Sequence, residues 1–111
     1  MAFNGTEGRP ITLEQAKRWT KRYQDENKGA VKAHFYGCER LRELLDEPEC
    51  VGIRIYYGLD DDGKRKLVLV GAKADQNNIL PQEEGKGPQH QILNDGRDCP
   101  PACPDFLEDQ L

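Results

Sequence analysis

A chain of 111 residues is the size of one domain, with 36% hydrophobic and 32% charged residues leaving room for one modest core and some solvated tail. No run approaches the roughly 20 apolar residues that span a bilayer, and Met1-Ala2-Phe3-Asn4-Gly5-Thr6-Glu7-Gly8 lacks the cationic start of a signal peptide, so the reading is cytoplasmic. The net charge of −4 is uneven: residues 1–45 carry 9 Lys/Arg against 6 Asp/Glu, and residues 46–111 carry 7 against 14, which makes nucleic acid a poor general ligand.

Residues 1–11 read as an irregular lead-in broken by Gly5, Gly8 and Pro10. Thr12-Leu13-Glu14-Gln15 has the form of a capping box and opens a helix over 13–27. Leu13, Ala16, Trp19, Thr20 and Tyr23 share its apolar stripe, while Lys17, Arg18, Lys21 and Arg22 lie elsewhere, with Glu14–Arg18, Lys21–Asp25 and Arg22–Glu26 each four apart. Gly29 ends it. Alternation of Val31, Ala33 and Phe35 with Lys32, His34 and Tyr36 fits a short strand over 31–36, although so short a run also fits a helical start. Cys38, Leu41, Leu44 and Leu45 form the apolar stripe of a second helix over 38–46, closed by Pro48.

Two β-branched runs follow, 51–58 and 65–72, joined across Asp60-Asp61-Asp62-Gly63. A two-residue turn at Asp62-Gly63 sets Tyr57 opposite Val68, Ile55 opposite Val70 and Ile53 opposite Ala72. Tyr56, Leu67 and Leu69 then gather with Arg54 on the other face, leaving neither face of the hairpin polar. From Asp75 onward Gly, Pro, Gln, Asn and acids dominate, with Ile79-Leu80 and Ile92-Leu93 as brief apolar steps and a further strand possible over 78–80. The tail Cys99-Pro100-Pro101-Ala102-Cys103-Pro104 is stiffened by proline.

Chemistry-bearing patterns are sparse. Asp60-Asp61-Asp62-Gly63 lacks the ladder and the terminal glutamate of a calcium loop, and a hairpin turn accounts for it. Neither glycine-rich phosphate fingerprint occurs. His34 precedes Cys38 by four residues across Gly37, a spacing that assures no contact, and His90 has no evident partner, so no catalytic constellation emerges. Cys99 and Cys103 are the sharpest feature. They are candidate zinc ligands that His34, Cys38 or Cys50 would complete; a Cys99–Cys103 disulfide and an uncoordinated tail are the alternatives.

Gly52-Ile53-Arg54-Ile55-Tyr56-Tyr57-Gly58-Leu59-Asp60-Asp61-Asp62-Gly63, with Leu67-Val68-Leu69-Val70-Gly71 and the Cys-Pro-Pro-Ala-Cys tail, is similar to small uncharacterised bacterial proteins. That resemblance implies no activity and carries over no functional residue.

The sequence therefore predicts an α+β fold: a small antiparallel sheet of two to four strands built on the central hairpin, two amphipathic helices on one face, and a polar Pro/Gly-rich C-terminal tail. Residues 1–74 form the domain, with 75–111 packed on it as tail or loop. Trp19, Leu41, Leu44, Leu45, Ile53, Ile55, Val68 and Val70 form the expected core. A non-enzymatic protein-interaction or regulatory module is the favoured function, with Tyr56, Leu67 and Leu69 as the interface to a partner or a second copy. A zinc module and weak nucleic-acid binding through the first helix are the alternatives. The competing expectation is that the tail folds over that interface with Ile79, Leu80, Ile92, Leu93, Phe106 and Leu107.

Overall fold

The capping box forms as its residues require. Gln15 N–H donates to Thr12 Oγ1 and Thr12 N–H donates to Gln15 Oε1, each at 3.1 Å, opening α1 over Leu13–Glu26. In the computed structural model, which describes residues 2–81, 90–104 and 111, six further elements follow. They are β1 (Ala33–Phe35), α2 (Cys38–Leu45), β2 (Cys50–Leu59), β3 (Arg65–Lys73), β4 (Ile92–Leu93) and β5 (Arg97–Cys99). Two helices and two small antiparallel sheets make the α+β fold the sequence predicts.

The division of the chain differs from the expected 1–74 and 75–111. One unit comprises Met1–Glu7 with Tyr36–Gly96, and the other comprises Gly8–Phe35 with Arg97–Leu111. The physical reason is β5, which leaves the polar tail to pair antiparallel with β1, setting Ala33 opposite Cys99 and His34 opposite Asp98. The strand expected over 31–36 is therefore half of a separate two-stranded ribbon rather than a third strand of the hairpin sheet.

The larger sheet has the order β2-β3-β4. Its register is one residue from the expected one: Tyr57 faces Leu67, Ile55 faces Leu69 and Ile53 faces Gly71. The turn explains the slip. Asp60 N–H donates to Lys64 O and Gly63 N–H to Asp60 O, both at 2.9 Å, while Gly63 adopts φ 80°. This is a three-residue loop with a left-handed glycine, not a two-residue primed turn. Asp60 Oδ1 holds it by accepting from the amides of Asp62 and Lys64, each at 2.9 Å. A one-residue slip exchanges the faces, so Ile53, Ile55 and Tyr57 lie with Leu67 and Leu69, and Tyr56 lies with Val68 and Val70.

Leu44, Leu69, Val70, Ala72 and Ile79 are the buried hydrophobics of this unit. α2 lies against β2 and β3. Gly71 permits the approach: a Cβ there would stand 3.1 Å from Cys50 Sγ and 3.5 Å from Leu44 O. Of the expected core, Leu44 and Val70 are buried, and Leu41, Ile53 and Val68 are half-buried. Trp19, Leu45 and Ile55 are corrections, at 55%, 47% and 57% exposed. Trp19 fails because α1 belongs to the unit without the larger sheet and buries no residue fully. Ile55 fails because α2 is short. Its 8 residues reach about 12 Å, whereas the 10 residues of β2 reach about 33 Å. The hairpin outruns its helix.

Candidate interaction surface

Among the described residues β2 pairs with β3 on one side only, which makes it an edge strand of this sheet. The bond from Asp60 N–H to Lys64 O fixes the phase of the antiparallel ladder. Residues alternate between pointing their backbone groups into the pair and out of it, which turns those of Ile53, Ile55, Tyr57 and Leu59 toward the open side. The same residues share one face of the strand. Along it, Ile55 is 57% exposed, Tyr57 94% and Leu59 73%, forming an apolar row beside unpaired main chain.

The opposite face of β2 is polar at its start. Arg54 Nη1 donates to Gln76 O at 3.0 Å and to Asn78 Oδ1 at 2.7 Å, with its guanidinium 5.4 Å from the Phe3 ring centre. Asn78 Nδ2 donates to Tyr56 Oη at 2.8 Å. That bond, with Arg54 beside it, holds the Tyr56 hydroxyl below the ordinary tyrosine pKa. Asn78 is positioned by the bridge between Ala72 and Asn78, and by Ile79 N–H donating to Gly71 O at 2.8 Å. The N-terminal strap passes the same end of β2, where Phe3, Glu7, Val51 and Arg54 line a groove of ≈ 340 Å³. The strap thus occupies the start of the edge and leaves the part toward the turn.

Tyr56, Leu67 and Leu69 do not form one surface. Tyr56 lies on the face opposite Leu67 and Leu69, and Leu69 is only 3% exposed. The shifted register is the cause, and it moves the exposed apolar residues to Ile55, Tyr57 and Leu59. Of the residues expected to fold over the interface, Ile79 is buried, Leu93 pairs with Leu69, and Ile92 pairs with Val70. Phe106 and Leu107 lie outside the described residues.

The cysteines resolve differently from the metal reading. Cys99 and Cys103 are joined in a disulfide, the alternative ranked lower from sequence, so neither sulfur is a thiolate in this state. Pro100 and Pro101 turn the chain back between them, and Ala102 N–H donates to Asp98 O at 2.8 Å. Cys38 and Cys50 are free thiols. Cys50 Sγ donates to Gly52 O at 3.2 Å. His34 Nδ1 stands 3.0 Å from Asp98 Oδ1, a polar contact across the β1–β5 ribbon. Among the described residues, no three of His, Cys, Asp and Glu gather as a metal site.

Sequence reasoning missed the partner of His90. Its Nδ1 lies 3.6 Å from Glu47 Oε2, and Gln91 N–H donates to Glu47 Oε1 at 3.1 Å, so Glu47 fastens the returning chain just before β4. No local signal marks this pairing, because 43 positions separate the two side chains. On α1, Lys21 and Arg22 are engaged by Asp25 and Glu26 at 2.8 and 3.7 Å, which draws charge from the proposed nucleic-acid face.

A small α+β protein with an open apolar strand edge is the class that fold and surface define. Compared with family models, curated proteins and solved structures, the chain matches none. Among the described residues no helix is long and apolar enough to cross a membrane.

Proposed function

We propose that this chain is a small non-enzymatic protein-interaction module of the cytoplasm whose partner docks by adding a strand to β2 between Ile53 and Leu59. One observation carries the reading: outward backbone groups and an exposed apolar row occur on the same residues of one edge strand. Strand addition uses both, since main-chain hydrogen bonds supply affinity and alternate side chains supply selectivity. An isolated exposed leucine would carry no such weight, whereas a contiguous apolar row on a protein surface marks an interface.

Photo-crosslinking in the native cell tests it. A photoreactive residue at Tyr57 is expected to give discrete adducts, and one at exposed Glu39 on α2 is expected to give none. No adduct of any mass from position 57 removes the reading. The compartment is tested separately by rapid alkylation of intact cells. A reducing cytoplasm opens the Cys99–Cys103 bridge and adds the exposed Cys103 thiol to the labelled set. Labelling confined to Cys38 and Cys50 places the protein in an oxidising compartment instead.

A further inference from the structure

We infer that the strand added to β2 is the β2 strand of a second copy, paired antiparallel about a two-fold axis at Tyr57. The inference rests on the strand-addition reading and names its partner.

Three features of the edge point to a second copy. First, among the described residues the edge is undefended. Proteins blunt open edges with lysine, proline, bulges or a covering segment. Here the bulge lies between Cys50 and Gly52 and the strap passes the same end, while Ile53–Leu59 contains neither lysine nor proline. Second, an apolar row on alternate residues is complementary to its own reversed copy. With Tyr57 on the axis, Ile55 of each copy stands opposite Leu59 of the other, and both residues present outward backbone groups, so they form a hydrogen-bonded pair.

Third, charge selects this register. On the reverse face it sets Arg54 of each copy opposite Asp60 of the other and lays Tyr56 against Gly58. The hydrogen bonds that Asp60 accepts hold its carboxyl below the ordinary aspartate range, so it carries charge at neutral pH. A shift of the axis toward the start of β2, onto Tyr56, sets Arg54 opposite Gly58 and drives the partner's strand tip toward the strap. A shift the other way, onto Gly58, sets Ile55 opposite Asp61. Only the axis at Tyr57 matches both faces.

One strand per copy makes a small interface. Contacts of that kind fall below the roughly 1,200 Å² of stable complexes, so a weak, concentration-dependent dimer is expected.

Sedimentation of the full chain from about 1 μM to 1 mM is expected to show a monomer–dimer equilibrium, as a weak, small interface requires. Tyr57→Asp is expected to raise the dissociation constant at least about tenfold, as loss of a central interface aromatic does. A charge exchange tests the register. Arg54→Glu and Asp60→Arg are each expected to be monomeric alone and to dimerise when mixed, because the mixed pair restores both opposite-charge contacts. Arg54 and Asp60 also hold local structure, so a second variant guards against misfolding. Tyr57→Cys, made with Cys38→Ser and Cys50→Ser, is expected to oxidise to a covalent dimer across the axis. A wild type that stays monomeric at 1 mM, or a dimer that Tyr57→Asp leaves intact, overturns the inference. Crosslinks from position 57 to a different protein overturn it while leaving strand addition standing; an absence of crosslinks removes both.

Discussion

The two units of this protein are held together by different means. The sheet unit buries Leu44, Leu69, Val70, Ala72 and Ile79, drawn from a helix, a strand and the segment after it, so each apolar group supports the others. In the second unit Cys99 alone is buried among the described residues, and the order there comes from a capping box, local ion pairs, a short ribbon and a disulfide. The contrast shows how a lean sequence divides its resources. Where apolar residues suffice, packing fixes the structure; where they do not, covalent and hydrogen-bonded constraints replace it.

The comparison breaks most decisively at Leu44, which is fully buried under the sheet unit. Leu44→Ala removes that side chain and leaves a cavity, with an expected loss of about 2–5 kcal/mol in denaturant unfolding followed by sheet signals. A loss under about 0.5 kcal/mol, as at an ordinary surface site, would remove packing as the main support of this unit. The corresponding change in the second unit is Cys103→Ser. Its disulfide closes a loop with a sequence separation of 4, for which chain entropy gives about 2 kcal/mol. Amide exchange is expected to accelerate at Lys32, whose N–H donates to Cys99 O at 2.7 Å, and in β1, with the hairpin unaffected. Equal acceleration across β2 and β3 would show that the two units are not separately supported.

The smallest effect lies at the turn. Bonds from the Lys64 amide, then the Asp62 amide, hold the Asp60 carboxyl below its ordinary value of 3.8. A depressed folded-state pKa stabilises fully above the unfolded value, and that stabilisation is lost as pH falls through the folded value. Asp60→Asn is therefore expected to lower the melting temperature near neutral pH and to converge with wild type in strong acid. A gap that is unchanged between about pH 7 and about pH 2 would assign the effect to side-chain shape rather than charge.

What could be read from the sequence was local. The capping box, both helices within a residue or so and both hairpin strands follow from spacings inside short windows. The hairpin register was misjudged because Asp62-Gly63 suits a two-residue turn by itself; the deciding group is the Asp60 carboxylate, which captures two amides and widens the loop. That single residue then reassigned every face of the hairpin, including the proposed interface. The apolar alternation of Ile55, Tyr57 and Leu59 was visible, but its exposure depends on the reach of α2 and on β2 lying at an edge. His34 with Asp98 and His90 with Glu47 join distant positions, and no pattern within a window could have paired them.

The pairing of β1 with β5 has a consequence in time. A ribosome releases Ala33–Phe35 long before Arg97–Cys99, and the whole hairpin emerges between them. At roughly 5–20 residues per second, β1 waits some seconds for its partner strand. The hairpin, whose strands are neighbours along the chain, closes within microseconds of leaving the tunnel. The nascent protein therefore passes through an interval in which the hairpin and the edge of β2 have formed while β1 still lacks its partner strand. On the two-fold pairing proposed above, that interval is when neighbouring nascent chains on one messenger first present matching edges.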